Sequence, residues 1–206
     1  MQKLQNKLNI KKIFKTIQGE GKYEGYPALF IRLAGCNLNC DFCDTDWKDG
    51  ELMSVEEVVK IIDNSGMDLV VWTGGEPTLQ LDNIIYTIGL LEKPHIQTIE
   101  TNGTRLKEML EVFAYVSCSP KDLKTTKKAV EFFKTYPNDY DIKIVTDLEK
   151  EGVDSLEYAT ILMPLTTFNK DKDLELRKKV WDYCVEHKVK YCDRIHINVW
   201  NGVDNK

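Results

Sequence analysis

No stretch of this sequence approaches the roughly 20 consecutive apolar residues that a bilayer span requires. Its longest apolar runs, such as Ala28-Leu29-Phe30-Ile31 and Leu69-Val70-Val71-Trp72, are short. The N-terminal Met1-Gln2-Lys3-Leu4-Gln5-Asn6-Lys7 lacks the apolar core of a signal peptide, so a cytoplasmic address is expected. No internal repeat, low-complexity tract or Gly/Ser/Pro-rich linker divides the chain, and one domain over residues 1–206 is expected. An excess of basic charge is missing too. With 28 Lys+Arg against 33 Asp+Glu the net charge is -5, which argues against broad nucleic-acid binding. Six cysteines in 206 residues are too few for a disulfide scaffold. A chain this long buries roughly 70% of its unfolded surface and needs no such staples. With 42% hydrophobic and 30% charged residues the composition is that of a soluble globular protein, not a disordered one.

What is present is an alternation of patterns. Apolar segments of strand character recur at 8–14, 28–33, 69–73, 96–100, 115–118, 142–146, 158–163 and 194–200. Helical patterns fall between most of them. Ser54-Val55-Glu56-Glu57 reads as a capping box opening a helix with Val55, Val58, Val59 and Ile62 as its apolar stripe. Further helices are expected over 81–91, 125–136 and 170–187, the last with Leu176, Val180, Trp181, Cys184 and Val185 on one face. Such alternation implies βαβ units and a mainly parallel sheet, whose ligands gather at the carboxyl ends of the strands. Gly35-Cys36, Gly74-Gly75-Glu76-Pro77, Thr101-Asn102-Gly103 and Ser119-Pro120-Lys121 each follow a strand. Four polar loops on one rim predict one active site.

Three of the six cysteines lie within eight residues, as Cys36-x3-Cys40-x2-Cys43. Thiolates at this spacing can wrap one soft metal centre from a short loop. Structural zinc sites take four ligands, commonly as two separated pairs, and there is no second pair here. A four-iron cluster on three thiolates leaves one iron open to a small ligand. Incidental cysteines, or a zinc site completed by Cys118 or a distant histidine, are the competing readings. Cys118, Cys184 and Cys192 read as packing residues, since free cysteine is a common small buried side chain. His95, His187 and His196 stand alone and read as structural or surface residues.

The cysteine triple with Phe42 before its last member resembles the signature of the radical S-adenosylmethionine (SAM) superfamily, and Gly74-Gly75-Glu76-Pro77 is similar to that superfamily's second motif. The resemblance implies a [4Fe-4S] cluster whose open iron is chelated by SAM. Reductive cleavage then gives a 5'-deoxyadenosyl radical that abstracts hydrogen from substrate. Thr16-Ile17-Gln18-Gly19-Glu20-Gly21, Phe30-Ile31-Arg32-Leu33-Ala34-Gly35-Cys36, Cys43-Asp44-Thr45, Glu100-Thr101-Asn102-Gly103-Thr104, Ser117-Cys118-Ser119-Pro120-Lys121 and Arg194-Ile195-His196-Ile197 resemble the family of 7-carboxy-7-deazaguanine synthases. That family converts 6-carboxy-5,6,7,8-tetrahydropterin to 7-carboxy-7-deazaguanine with loss of ammonia, on the route to queuosine-type nucleosides, assisted by magnesium. The fold so implied is α/β, a shortened, modified βα barrel, commonly in a homodimer.

By the same resemblance, Ile17, Gln18, Gly19, Arg32 and Thr73 would bind the pterin, with the Arg32 guanidinium on its carboxylate. Phe42, Cys43, Asp44, Gly75, Glu76, Ser119, Pro120 and Lys121 would contact SAM, Glu76 by accepting from its ammonium group; Glu100 and Asn102 are weaker candidates. Cys36, Cys40 and Cys43 would hold the cluster, and Thr45 would offer oxygen to Mg²⁺. The resemblance also implies an electron donor such as flavodoxin or ferredoxin. The last eight residues match the family only in part. An activase of glycyl-radical enzymes shares the short chain, the cysteine triple and the GGEP motif, and a non-catalytic iron–sulfur or zinc module is the third reading.

Overall fold

The computed structural model describes residues 6–41, 43 and 45–200. Among these, nine strands form one sheet in the order β3-β1-β2-β4-β5-β6-β7-β8-β9. The strands are β1 (Lys7–Ile17), β2 (Pro27–Leu33), β3 (Glu51–Ser54), β4 (Leu69–Gly74), β5 (Ile96–Thr101), β6 (Tyr115–Cys118), β7 (Asp139–Thr146), β8 (Ile161–Pro164) and β9 (Lys190–Tyr191). From β2 through β4 to β9 every neighbouring pair is parallel. Only β1 runs antiparallel, to β2 on one side and β3 on the other. Parallel neighbours need long crossovers. Helices α1 (Val55–Asp63), α2 (Leu81–Gly89), α3 (Leu123–Phe133) and α4 (Lys170–His187) lie in four of them, and α5 (Ile195–Trp200) ends the described chain. β3 and β9 are left as edges, so the sheet is the open, partial βα barrel that the alternation implies.

Strand alternation explains how apolar strands carry an active site. Successive side chains point to opposite faces. Leu29, Ile31 and Leu33 of β2, Val70 and Trp72 of β4, Val116 and Cys118 of β6, and Ile142 and Ile144 of β7 join one buried cluster that includes Val58, Ile62, Ile84, Ala129, Phe133 and Val180 of the helices. The intervening residues face inward. There, Ala28, Phe30, Leu69 and Val71 form a second apolar cluster with Phe14 and Tyr23, while Arg32 and Thr73 lie toward the carboxyl ends of the same strands. The inner face therefore has an apolar floor and a polar rim.

Capping fixes where the helices start. Ser54 and Glu57 form the expected capping box, the Glu57 amide donating to Ser54 Oγ at 3.3 Å and the Ser54 amide to Glu57 Oε2 at 2.8 Å. Asp122 caps α3 by accepting from the Thr125 amide at 2.8 Å, which moves its start to Leu123. The expected strand over 194–200 is a correction: Ile195–Trp200 is helical. Its Ile-x-Ile-x-Val alternation fits a strand, but Asp193 accepts from the Arg194 amide at 2.8 Å and from Asn198 Nδ2 at 2.9 Å, closing a turn there. The place beside β8 is already taken by Lys190–Tyr191. Over 158–163, a short 3-10 helix at Val153–Tyr158 precedes the strand, which begins at Ile161. Among the described residues no helix is long and apolar enough to cross a membrane.

Candidate active site

The polar rim bounds a cavity of about 300 Å³ lined by residues from every parallel strand end between β2 and β8. Its first wall is the cysteine loop. Beyond β2, Gly35 carries the chain at φ +89° into Cys36, and the Gly35 carbonyl accepts from the Glu76 amide at 2.8 Å. A Cβ on Gly75 would stand 1.9 Å from that carbonyl oxygen, so glycine is what lets the two loops run in contact. The far end of the loop is tied back by Gly35 N donating to Trp47 O at 2.9 Å, and by Lys11 donating to Asp46 Oδ2 at 2.7 Å and Lys48 O at 2.8 Å. Cys36, Cys40 and Cys43 all line the cavity. Burial raises the Cys40 thiol, and the nearby Lys121 ammonium opposes that rise.

These residues fit a four-iron cluster. Each thiolate of such a cluster bonds its own iron, so the donors must share a pocket rather than converge on a point. Three soft donors from one loop facing one cavity meet that need. Among the described residues no three His, Cys, Asp or Glu side chains are grouped to hold a single metal ion. Cys118 joins the outer core, its Sγ against Gly103, and does not line the cavity. Cys184 and Cys192 are likewise buried away from the triple.

Glu76 does something other than the expected ammonium contact. It is almost fully buried and does not line the cavity. Its Oε1 accepts from the Thr78 amide at 3.0 Å, Thr78 Oγ1 at 2.6 Å and Thr101 Oγ1 at 2.7 Å; its Oε2 accepts from the Asn102 amide at 2.7 Å. A carboxylate with four protein donors pins the loop after β4 to the loop after β5. Glu76→Ala strands those donors and is expected to lower the unfolding free energy by about 3 kcal/mol. Urea unfolding of purified protein measures this; a loss under about 1 kcal/mol would show that water replaces the carboxylate.

Glu100 ties together further side chains of the polar rim. Its Oε1 accepts from Gln18 Nε2 at 3.1 Å and its Oε2 from Thr73 Oγ1 at 2.7 Å. Gln18 in turn accepts the Glu20 amide at 3.2 Å. Arg32 places its guanidinium over the Phe14 ring, 5.2 Å from the ring centre, a cation–π contact. Beside them Glu20 pairs with Lys143 and, at 3.2 Å, with Arg194. Burial alone raises the Glu20 carboxyl, but the two cations outweigh it and hold it down at about 2. Glu20 therefore contributes stability above its ordinary value of 4.5, and loses it as pH falls toward 2.

Of the residues singled out in the sequence, Ile17, Gln18, Arg32, Cys36, Cys40, Cys43, Thr45, Thr73, Gly75, Ser119 and Lys121 share the cavity, as do Glu100 and Asn102. Gly19, Glu76 and Pro120 are outside its lining; a Cβ on Gly19 would meet His196 Nδ1 at 2.3 Å. Phe42, Asp44 and the C-terminal residues 201–206 lie outside the described residues. The sequence reading missed Glu20, Lys143 and Arg194, and placed His196 among structural or surface residues, yet all four line the cavity. Period-two alternation carried the signal for Lys143, an ionic residue between Ile142 and Ile144 on the opposite face. Arg32, Lys121, Lys143 and Arg194 face two carboxylates, Glu20 and Glu100, so the cavity is cationic in a chain of net charge -5.

Residues 30–198 match the model of the Radical SAM superfamily. A 7-carboxy-7-deazaguanine synthase of Rickettsia prowazekii is 43% identical over 127 residues, 58% of this chain and 53% of that protein, so the shared segment spans about half of that relative. The 7-carboxy-7-deazaguanine synthase of Halobacterium salinarum is 30% identical over 236 residues, covering 94% of this chain and 91% of that protein. A crystal structure of QueE from Escherichia coli superposes with a TM-score of 0.56 at 20% identity, over 91% of this chain and 94% of that one, a likeness of fold.

Proposed function

Because this chain belongs to the radical SAM superfamily, and within it to the family of the 7-carboxy-7-deazaguanine synthases, we propose that it converts 6-carboxy-5,6,7,8-tetrahydropterin to 7-carboxy-7-deazaguanine with release of ammonia. The observation that carries this reading is one cationic cavity lined both by three thiols and by Arg32 with the Gln18–Glu100–Thr73 network. Cys36, Cys40 and Cys43 hold the cluster, and Gly75, Ser119 and Lys121 border the SAM side. When bound, the [4Fe-4S] cluster and SAM supply a carbon-centred radical that takes a hydrogen atom from the substrate.

The chain's own residues orient that substrate. Arg32, held beside Phe14, can meet a carboxylate with two parallel hydrogen bonds, which fixes both distance and tilt. Glu100 retains lone pairs beyond its two bonds and can accept from ring N–H groups. Thr45 supplies oxygen to Mg²⁺, which keeps most of its shell for water and the substrate. A small polar network of this kind favours a carboxylated heterocycle over the protein substrate of a glycyl-radical-enzyme activase. One domain over residues 1–206 carries both subsites, as a homodimer in the cytoplasm, reduced by flavodoxin or ferredoxin.

Anaerobic incubation of reconstituted protein with SAM, dithionite, Mg²⁺ and 6-carboxytetrahydropterin tests the reading. Mass spectrometry is expected to find the deazaguanine acid, with ammonia in equal amount. Recovery of unchanged pterin alongside cleaved SAM would refute it.

A further inference from the structure

The side of the partial barrel that has no strand is closed by loop backbone. Residues 18–24, which follow β1, lie against residues 192–196, which follow β9. Ile195 N donates to Gly19 O at 3.2 Å, and Gly21 N to Cys192 Sγ at 3.3 Å. The Tyr23 ring meets Tyr115 edge-on at 5.9 Å. At the centre of this seam is the Glu20 carboxylate. It pairs with Lys143 from β7 and with Arg194 Nε at 3.2 Å, just before α5. All three side chains are nearly buried, and all three line the cavity.

We propose that Glu20 is a positioning residue for the substrate: by holding Lys143 and Arg194 side by side it seats α5, and with it His196, on the mouth of the cavity. Two cations brought together in a shielded place repel unless a carboxylate stands between them, and removing one member of such a group leaves buried charge uncompensated. The close fit of His196 on Gly19 depends on the same seam, because the ring occupies the space that a Cβ there would fill. Lys143 is thereby kept as a cation on the cavity wall: burial lowers its ammonium, and Glu20, followed by Glu100, more than reverses that. The seam brings together residues 123 and 174 positions apart, so this end of the site exists only once the loop after β1 has met β7 and the segment after β9.

The substrate half of this inference rests on the pterin reading above; the structural half does not. Glu20→Gln, Glu20→Asp and Arg194→Gln are compared with wild type by hydrogen-exchange mass spectrometry and by steady-state kinetics with 6-carboxytetrahydropterin and SAM. Glu20→Gln is expected to speed exchange across 192–200 about tenfold while β4 and α3 keep their protection. The pterin KM is expected to rise about tenfold, more than the kcat falls and more than the SAM KM moves. Glu20→Asp recovers part of both effects, and Glu20→Gln with Arg194→Gln together is no worse than Glu20→Gln alone. Native exchange at 192–200 in Glu20→Gln would overturn the seating. Loss of protection throughout the sheet would overturn it too, since that is a general stability role. If Glu20→Gln does not fold, Arg194→Gln alone must give the same local exchange and KM pattern. A wild-type protein that leaves the pterin unchanged refutes the substrate assignment and leaves the exchange test standing.

Discussion

Alanine at Cys36, Cys40 or Cys43 is expected to reduce the iron retained after anaerobic reconstitution to background and to abolish SAM cleavage, while alanine at Cys118 or Cys184 leaves both at wild-type levels. The division follows from which face of the sheet each thiol occupies. The first three stand on one loop and line one cavity. Cys118 points the other way from β6, into the core shared with the helices, where burial pushes its thiol well above the ordinary range. Such a thiol resists the deprotonation that metal binding requires. Cys184 sits on the buried face of α4, with its thiol raised by the same cause. Iron analysis and the visible spectrum read the result. Retention of a full cluster by Cys40→Ala would remove the triple from the role assigned to it.

Arg32→Ala is expected to lower kcat/KM for the pterin by roughly ten- to a hundredfold, the loss of a charge-assisted pair worth about 1.5–3 kcal/mol. Arg32→Lys is expected to recover little, because an ammonium keeps the charge but not the planar two-pronged donor. Arg32 lies in register with Lys12 on one side and Thr73 on the other, and Thr73 is already bonded to Glu100. Removing the guanidinium therefore empties one corner of a floor that otherwise stays in place. SAM binding is expected to survive. Kinetics with pterin varied at saturating SAM measure the effect, and wild-type turnover by Arg32→Ala would exclude it as the carboxylate anchor.

The parts legible in the sequence were those with local causes. The Ser54–Glu57 box needs only four residues and gave the start of α1. The helical pattern over 170–187 matches α4 end to end, and the patterns for β2 and for β4 to β7 fall within a few residues of the strands. β3 is four residues long, with two exposed, and its pairing with β1 is visible only in three dimensions. The segment 195–200 was misread because alternation of apolar residues over six positions suits a strand and a short helix alike. In the site, the cysteine loop and the GGEP turn announce themselves by spacing. Glu20, Lys143 and Arg194 do not, being distant in sequence and joined only where the loop after β1 meets β7 and the segment after β9. The structural contacts of Glu76 escape the sequence for a related reason: its motif is local, but the donors to its oxygens at Thr101 and Asn102 come from β5 and the loop after it.

The most direct measurement on the site is the electron paramagnetic resonance spectrum of reduced, reconstituted protein recorded with and without SAM. Three thiolates from one loop leave one iron of a four-iron cluster open. Adding SAM is therefore expected to change the shape of the reduced-cluster signal, and to do so equally in Arg32→Ala. Identical spectra with and without saturating SAM would contradict an open iron in this cavity.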